Sequence, residues 1–129
     1  MTPRSAAAVL AAVLIGAGAS GCAAKESATD SAADAGTEVS VDATDTGCAL
    51  SVAEAAVGPV TFAVTNNGAK VTELYVYNPS GGVVGEVENI SPGLKRDLKV
   101  ELAAPGTYVV ACKPGMVGDG IRTDFTVKG

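Results

Sequence analysis

The chain is short and acidic, with 129 residues, nine Lys and Arg, fourteen Asp and Glu, and a formal net charge of −5. This length leaves room for one domain, and the negative charge disfavours nucleic acid as a partner. The sequence contains no histidine. That excludes Ser-His-Asp and Cys-His catalysis, and it excludes every zinc, haem or blue-copper centre that needs imidazole ligands.

The first 21 residues have the pattern of a secretory signal. One positive charge at Arg4 precedes ten apolar residues, 6–15, and a small, glycine-rich stretch follows. Ten residues rise only about 15 Å as a helix, whereas the hydrocarbon core of a membrane is about 30 Å thick. We therefore predict a cleaved signal rather than a membrane span.

The signal ends in Ala-Ser-Gly-Cys, residues 19–22, which resembles the lipobox of bacterial lipoproteins. The resemblance implies that residues 1–21 are a lipoprotein signal peptide and that Cys22 is lipidated and anchors the protein to the outside of the cell membrane. The alternative is an ordinary signal peptide with an incidental cysteine. Residues 22–37 lack Val, Ile, Leu and aromatic side chains, which favours a flexible tether over a short helix.

Between residues 38 and 129 the sequence alternates apolar and polar side chains in short runs, as half-buried strands do. These runs are residues 38–43, 59–66, 71–78, 82–88, 95–102, 106–112 and 121–127. Clusters of Gly, Pro and Asn separate them. Seven or eight strands at this spacing predict an all-β sandwich, in which residues 52–56 are a candidate for a short helix.

Two cysteines, Cys48 and Cys112, remain after Cys22 is assigned to lipidation. In an oxidising compartment two close thiols become a disulfide, and a bridge across this loop would stabilise the fold by about 4 kcal/mol on the chain-entropy model. The alternative is a pair of thiolates that bind a soft or borderline metal. The residues by themselves leave both alternatives open.

Residues 107–119 read TYVVACKPGMVGD, in which a strand leads Cys112 into a Pro-Gly loop that carries Met116. This segment resembles the ligand loop of the cupredoxins. The upstream run VTFAVTNNGAKVTELYVYN resembles the cupredoxin strands that end in the first metal-binding histidine, with Glu73 in its place. GEVENISPG and CKPGMVGDGIRTDFTV are similar to the N-terminal cupredoxin-like domain of the EfeO type, a component of bacterial iron uptake. The resemblance covers about residues 38–128 and implies that residues 38–129 form a cupredoxin-like Greek-key β-sandwich.

The same resemblance implies sites for copper or ferric iron. It assigns a first ligand set, which comprises Cys48, Glu73 and Cys112. Met116 would add a soft axial ligand, although a methionine in such a loop more often packs against the core. Glu86 and Glu88 precede the Asn-Ile-Ser-Pro-Gly turn and would form a second, oxygen-rich site of the kind that Fe³⁺ prefers. EfeO proteins continue into a second domain with an HxxE motif, which this chain lacks.

The remaining carboxylates have a simpler interpretation. Scattered acidic residues usually solvate a surface, and this applies to Asp42, Asp45, Glu86, Glu88, Asp119 and Asp124. No nucleophile stands beside a base in the sequence, so we do not expect an enzyme.

We therefore expect a membrane-anchored, extracytoplasmic metal-binding module for copper or ferric iron, linked to iron uptake and to its permease or peroxidase components. The alternative function is a metal-free interaction or scaffolding domain in which Cys48 and Cys112 form a disulfide.

Overall fold

The structure, a computed structural model, describes residues 36–129 and is built almost entirely of strands. The strands are β1 (Thr37–Ala43), β2 (Cys48–Leu50), β3 (Glu54–Ala56), β4 (Gly58–Asn66), β5 (Thr72–Tyr77), β6 (Val83–Ile90), β7 (Lys95–Leu102), β8 (Gly106–Cys112) and β9 (Ile121–Lys128). A short 3-10 turn at Pro114–Met116 lies between β8 and β9. The all-β expectation is confirmed.

The strands form two sheets that pack face to face. A four-stranded sheet has the order β2-β1-β4-β7, and a five-stranded sheet has the order β3-β9-β8-β5-β6. β1 runs parallel to β4 and β3 runs parallel to β9, whereas the other neighbours are antiparallel. The inner faces share one apolar core, whose largest fully buried side chains include Phe62, Phe125, Leu74, Ile90 and Leu102.

All seven predicted strands are present, but the segment between β1 and β4 differs from the expectation. Residues 52–56 do not form a helix, because the chain there crosses from one sheet to the other. β2 pairs with β1 at the edge of the four-stranded sheet, and β3 pairs with the end of β9 in the five-stranded sheet. Each of these strands has three residues, which is too short for an alternating pattern to reveal.

A buried asparagine fixes the turn that leads into β5. The Nδ2 group of Asn66 donates hydrogen bonds to the carbonyl oxygens of Lys70 (2.8 Å) and Ile90 (2.7 Å), and its Oδ1 accepts one from the Gly68 N–H (2.9 Å). These bonds satisfy the polar groups of a side chain that is 1% exposed. The start of β5 is thereby held beside the end of β6.

The register between β5 and β8 decides which side chains share a face. Leu74 lies directly opposite Cys112, and Val76 lies opposite Val110. All four side chains point into the core. Because successive side chains of a strand alternate between faces, the residue between Thr72 and Leu74 points outward.

The predicted signal peptide (1–21), lipidated Cys22 and almost all of the tether (22–37) lie outside the described residues. Within residues 36–129, no helix has the length and apolar character needed to cross a membrane.

Candidate metal centre

The structure joins Cys48 and Cys112 in a disulfide, with the two Sγ atoms 2.04 Å apart and the two Cα atoms 5.5 Å apart. Cys48 lies on the edge strand β2 and Cys112 at the end of β8, so the bond links the two sheets. The cysteines are 6% and 0% exposed. Of the two alternatives that the sequence left open, the structure contains the disulfide, and its sulfurs are not the thiolates that a soft metal requires.

Glu73 does not join the two cysteines. It lies between Thr72 and Leu74 on β5 and points to the outer face of the five-stranded sheet, whereas Cys112 points to the inner face. The sheet backbone therefore separates the carboxylate from the sulfurs. The predicted ligand set of Cys48, Glu73 and Cys112 is not assembled in this structure, because neighbouring positions of a strand face opposite ways.

Glu73 instead lies among other charged side chains of the outer face. Glu86 lies on β6 opposite Tyr75, and Glu88 follows two residues later on the same strand. The negative charges of both influence Glu73. We call these three residues, Glu73, Glu86 and Glu88, the carboxylate cluster. Glu86 and Glu88 are exposed, whereas Glu73 is only 5% exposed.

Burial dominates the electrostatics of Glu73. Loss of hydration raises the pKa of its carboxyl above the ordinary value of 4.5, and the charges of Glu88 and Glu86 raise the pKa further. The ammonium of Lys113 acts in the opposite direction, with its Nζ 3.9 Å from Oε1 of Glu73. The negative charge of Glu73 is thus held in an unfavourable environment that an additional cation would relieve.

A tyrosine that the sequence analysis did not select lies beside the carboxylate cluster. The hydroxyl of Tyr75 lies 3.5 Å from Oε1 of Glu88. The carboxylate of Glu86, then partial burial, then the charge of Glu73 raise the pKa of this hydroxyl above its ordinary value. The sequence could have indicated Tyr75, because a residue two positions after Glu73 on the same strand points to the same face of the sheet.

The outer face also carries two stacked rings, each with a cation above it. Tyr75 and Tyr77 stack with centroids 5.8 Å apart. Nζ of Lys113 lies 3.8 Å from the centroid of Tyr75, and the guanidinium carbon of Arg122 lies 4.8 Å from that of Tyr77. Both distances are in the range of cation–π attraction.

Met116 lies in the turn after β8. Its N–H donates to the carbonyl oxygen of Lys113 (2.9 Å), and its backbone adopts the left-handed conformation with φ of 55°. The side chain is half-buried. The role of Met116 as an axial metal ligand stays a prediction.

The inner face holds one polar atom without a partner. Oγ1 of Thr72 is buried and makes no hydrogen bond, the single case among the side chains that the structure describes. Thr72 shares a face with Leu74 and stands at the first position of β5. The inner-face position next to Glu73 is therefore occupied by a hydroxyl.

The scattered carboxylates of the first strand and loop have structural partners. The carboxylate of Asp45 accepts hydrogen bonds from the N–H groups of Ala69 and Lys70, and Oδ1 of Asp42 accepts one from the side chain of Asn67 (2.7 Å). Asp119 and Asp124 are both exposed. Asp42 and Asp45 thus bind groups of the loop at residues 67–70, and for Asp119 and Asp124 the solvated-surface interpretation stays a prediction.

The donor set does not fit a blue-copper centre, because the sequence has no imidazole and the two cysteines are bonded to each other. Within residues 36–129, no three Cys, Asp or Glu side chains already converge as metal ligands. Carboxylate and phenol oxygens are nevertheless the donors that hard cations prefer. Glu86 and Glu88 are exposed on the same face as Glu73.

The amino-acid sequence of this chain was compared with those of known protein families and of curated proteins. A family model described as a cupredoxin-like domain matches residues 7–127. A search of curated proteins finds no significant match.

Three auracyanins are similar to this chain, and the first two share its fold at low identity. The auracyanin of the photosynthetic bacterium Roseiflexus castenholzii, reduced with dithionite, is 16% identical with a TM-score of 0.56, over 72% of this chain and 98% of that chain. Auracyanin B is 13% identical with a TM-score of 0.57, over 72% of this chain and 89% of that chain. Auracyanin A of Chloroflexus aurantiacus, described as a "blue" copper protein, is 14% identical with a TM-score of 0.49, over 70% of this chain and 99% of that chain.

Proposed function

Because this chain belongs to the family of cupredoxin-like domains, we propose that it is an extracytoplasmic metal-binding module whose metal site is the carboxylate cluster. The observation that carries this proposal is the environment of Glu73. Its carboxylate is 5% exposed, lies near two further carboxylates and has an ammonium no closer than 3.9 Å. A cation bound between the three side chains would neutralise charges that now repel one another.

The chemistry of the donors favours a hard cation. Carboxylates bind hard ions such as Fe³⁺ more selectively than soft ones, and the hydroxyl of Tyr75 adds another oxygen at the edge of the cluster. We therefore propose ferric iron as the metal, held as cargo, with Cu²⁺ as the competing ion. The sulfurs of Cys48 and Cys112 take no part while they form the disulfide.

The setting of the module follows from the sequence. We propose that residues 1–21 are removed, that lipidated Cys22 holds the protein at the outer side of the cell membrane and that residues 22–37 act as a tether. A domain held in this way would bind iron close to an uptake permease or a peroxidase. The EfeO-type resemblance of residues 38–128 supports this link to iron uptake.

Titration of the purified protein with Fe³⁺, supplied as a weak soluble complex, and separately with Cu²⁺ tests the proposal. We expect Fe³⁺ to bind at one site and Glu73→Gln to weaken binding at least about tenfold, because the variant removes the central negative charge. Glu101→Gln is the matched control, because Glu101 is an exposed carboxylate on β7 of the other sheet.

Absence of Fe³⁺ binding would refute the iron proposal, and equal binding by wild type and Glu73→Gln would refute the assignment of the site. Preference for Cu²⁺ over Fe³⁺ would change the metal but not the location, provided that the Glu73 variant still loses affinity.

The disulfide favours a second candidate function, a metal-free interaction or scaffolding domain. The bond uses both cysteines of the described chain to fasten the sheets together. Mass spectrometry of the unreduced protein should then give a mass lower by two hydrogens than that of the dithiol form. If the same preparation binds neither Fe³⁺ nor Cu²⁺, this second function replaces the first.

A further inference from the structure

The ammonium group of Lys113 lies between an anionic partner and an aromatic one. Its Nζ is 3.9 Å from Oε1 of Glu73 and 3.8 Å from the ring centroid of Tyr75. The Lys113 side chain is 13% exposed. It is therefore a mostly buried cation that already occupies the edge of the carboxylate cluster.

The backbone and the first methylenes of Lys113 are fixed. Its N–H donates to the carbonyl oxygen of Glu73 (2.8 Å), which sets the two residues side by side. Gly120 packs against the stem, since a Cβ there would lie 2.6 Å from Cγ of Lys113. The ammonium at the end of the side chain can move without a shift of this backbone.

The contact between Lys113 and Glu73 is loose. A strong ion pair has its nitrogen and oxygen about 2.7–2.9 Å apart, whereas these atoms are 3.9 Å apart. The ring of Tyr75 attracts the ammonium independently. Lys113 can consequently give up Glu73 without losing all of its stabilising contacts.

We propose that Lys113 is the resident counter-ion of Glu73 and acts as an internal competitor that keeps cation binding at the carboxylate cluster weak enough to be reversible. This inference rests on the proposed function. An incoming cation either displaces the ammonium from Glu73 or binds while repelled by it, and both routes lower the affinity. A module that delivers its cargo needs such release.

Arg122 provides a matched control on the same face. It carries the same charge, and it lies above the neighbouring ring, that of Tyr77, at 4.8 Å. The charged groups that influence Glu73 are Lys113, Glu88 and Glu86, and Arg122 is not among them. Lys113→Met and Arg122→Met therefore change the net charge equally, but only the first removes the counter-ion of Glu73.

The experiment uses Tb³⁺ as a hard trivalent probe and measures its luminescence on excitation of tyrosine. The protein has no tryptophan, and Tyr75 lies beside the cluster, so bound Tb³⁺ should be sensitised there. We expect Lys113→Met to bind Tb³⁺ about tenfold or more tightly than wild type and to release it more slowly to a chelator. Arg122→Met should stay within about twofold of wild type. Lys113→Gln repeats the test if the methionine variant melts at a clearly lower temperature.

The outcomes separate this inference from the proposed function. If wild type binds Tb³⁺ but Lys113→Met and Arg122→Met behave alike, Lys113 is not the competitor and the inference fails alone. If Lys113→Met binds and wild type does not, the competitor role holds and the proposed function of the wild-type site fails. If wild type and every variant give no sensitised luminescence, both are refuted.

Discussion

The inner and outer faces of β5 and β8 differ completely in chemistry although they share the same backbone. On the inner face Leu74 and Val76 pack against Val110 and the disulfide at Cys112. On the outer face the intervening residues of β5 carry a carboxylate and two stacked rings, with cations above them. The inner face belongs to the apolar core, and the outer face presents charged and aromatic groups. A shift of one residue along a strand is enough to move a side chain from one face of the sheet to the other.

The largest expected effect is on the inner face. Replacing both cysteines, Cys48→Ala with Cys112→Ala, should lower the free energy of unfolding by about 4 kcal/mol, because the bond closes a long loop between the sheets. Urea unfolding followed by circular dichroism measures the loss. Glu73→Gln, on the outer face, should change the stability far less.

A reductant separates the effect of breaking the disulfide from the effect of removing the two cysteine side chains. Treatment of the wild-type protein with a phosphine reductant should lower its stability towards that of the double variant, and the double variant itself should not respond. A wild-type protein in which thiol titration shows both cysteines to be reduced, but whose unfolding midpoint does not change, would show that the bond does not stabilise the inner face.

The next effect concerns the loop that returns from Lys113 to β9. Gly120 has φ of 74°, and a Cβ there would lie 2.6 Å from the carbonyl oxygen of Cys112. Gly118 has φ of 69° with open space around it. Gly118→Ala should cost about 1 kcal/mol from the left-handed backbone alone, and Gly120→Ala about 2 kcal/mol or more, because the clash is with backbone. Thermal melting of the two variants measures the difference, and equal losses would contradict the close approach at Gly120.

The smallest effect is the pH dependence that Glu73 adds on the outer face. Burial raises the pKa of this carboxyl in the folded protein above 4.5. Between the ordinary value and the raised one, the folded chain keeps a proton that the unfolded chain releases. The contribution of Glu73 to stability is therefore fully present below pH of about 4.5 and is lost as pH rises through the folded pKa.

Unfolding measured at several pH values in the presence of a chelator checks this sign. As pH rises through that window, the unfolding free energy of wild type should fall relative to that of Glu73→Gln. A difference that stays constant with pH would show that Lys113 cancels the effect of burial on the pKa of Glu73, and a difference that moves the other way would show that Lys113 outweighs it.

The alternation of side chains along each long strand can be read from the sequence, whereas the contacts between strands that surround Glu73 cannot. Leu74 and Tyr75 lie on opposite faces of their strand, and Cys112 shares the face of Val110, as the alternation of side chains along a strand requires. The same parity places Glu73 with Tyr75 and away from Cys112. The predicted ligand set therefore joined residues from two faces, because the family resemblance outweighed the alternation.

The sequence by itself determined the all-β class, the seven longer strands and the exclusion of imidazole chemistry, since alternation and composition are properties of single residues and their near neighbours. Only the tertiary structure decided that β2 and β3 exist, that Cys48 meets Cys112, and that Glu73 lies beside Glu86, Glu88 and Lys113. These relations depend on pairing between distant strands, and a three-residue strand acquires its conformation from the neighbour that supplies its hydrogen bonds.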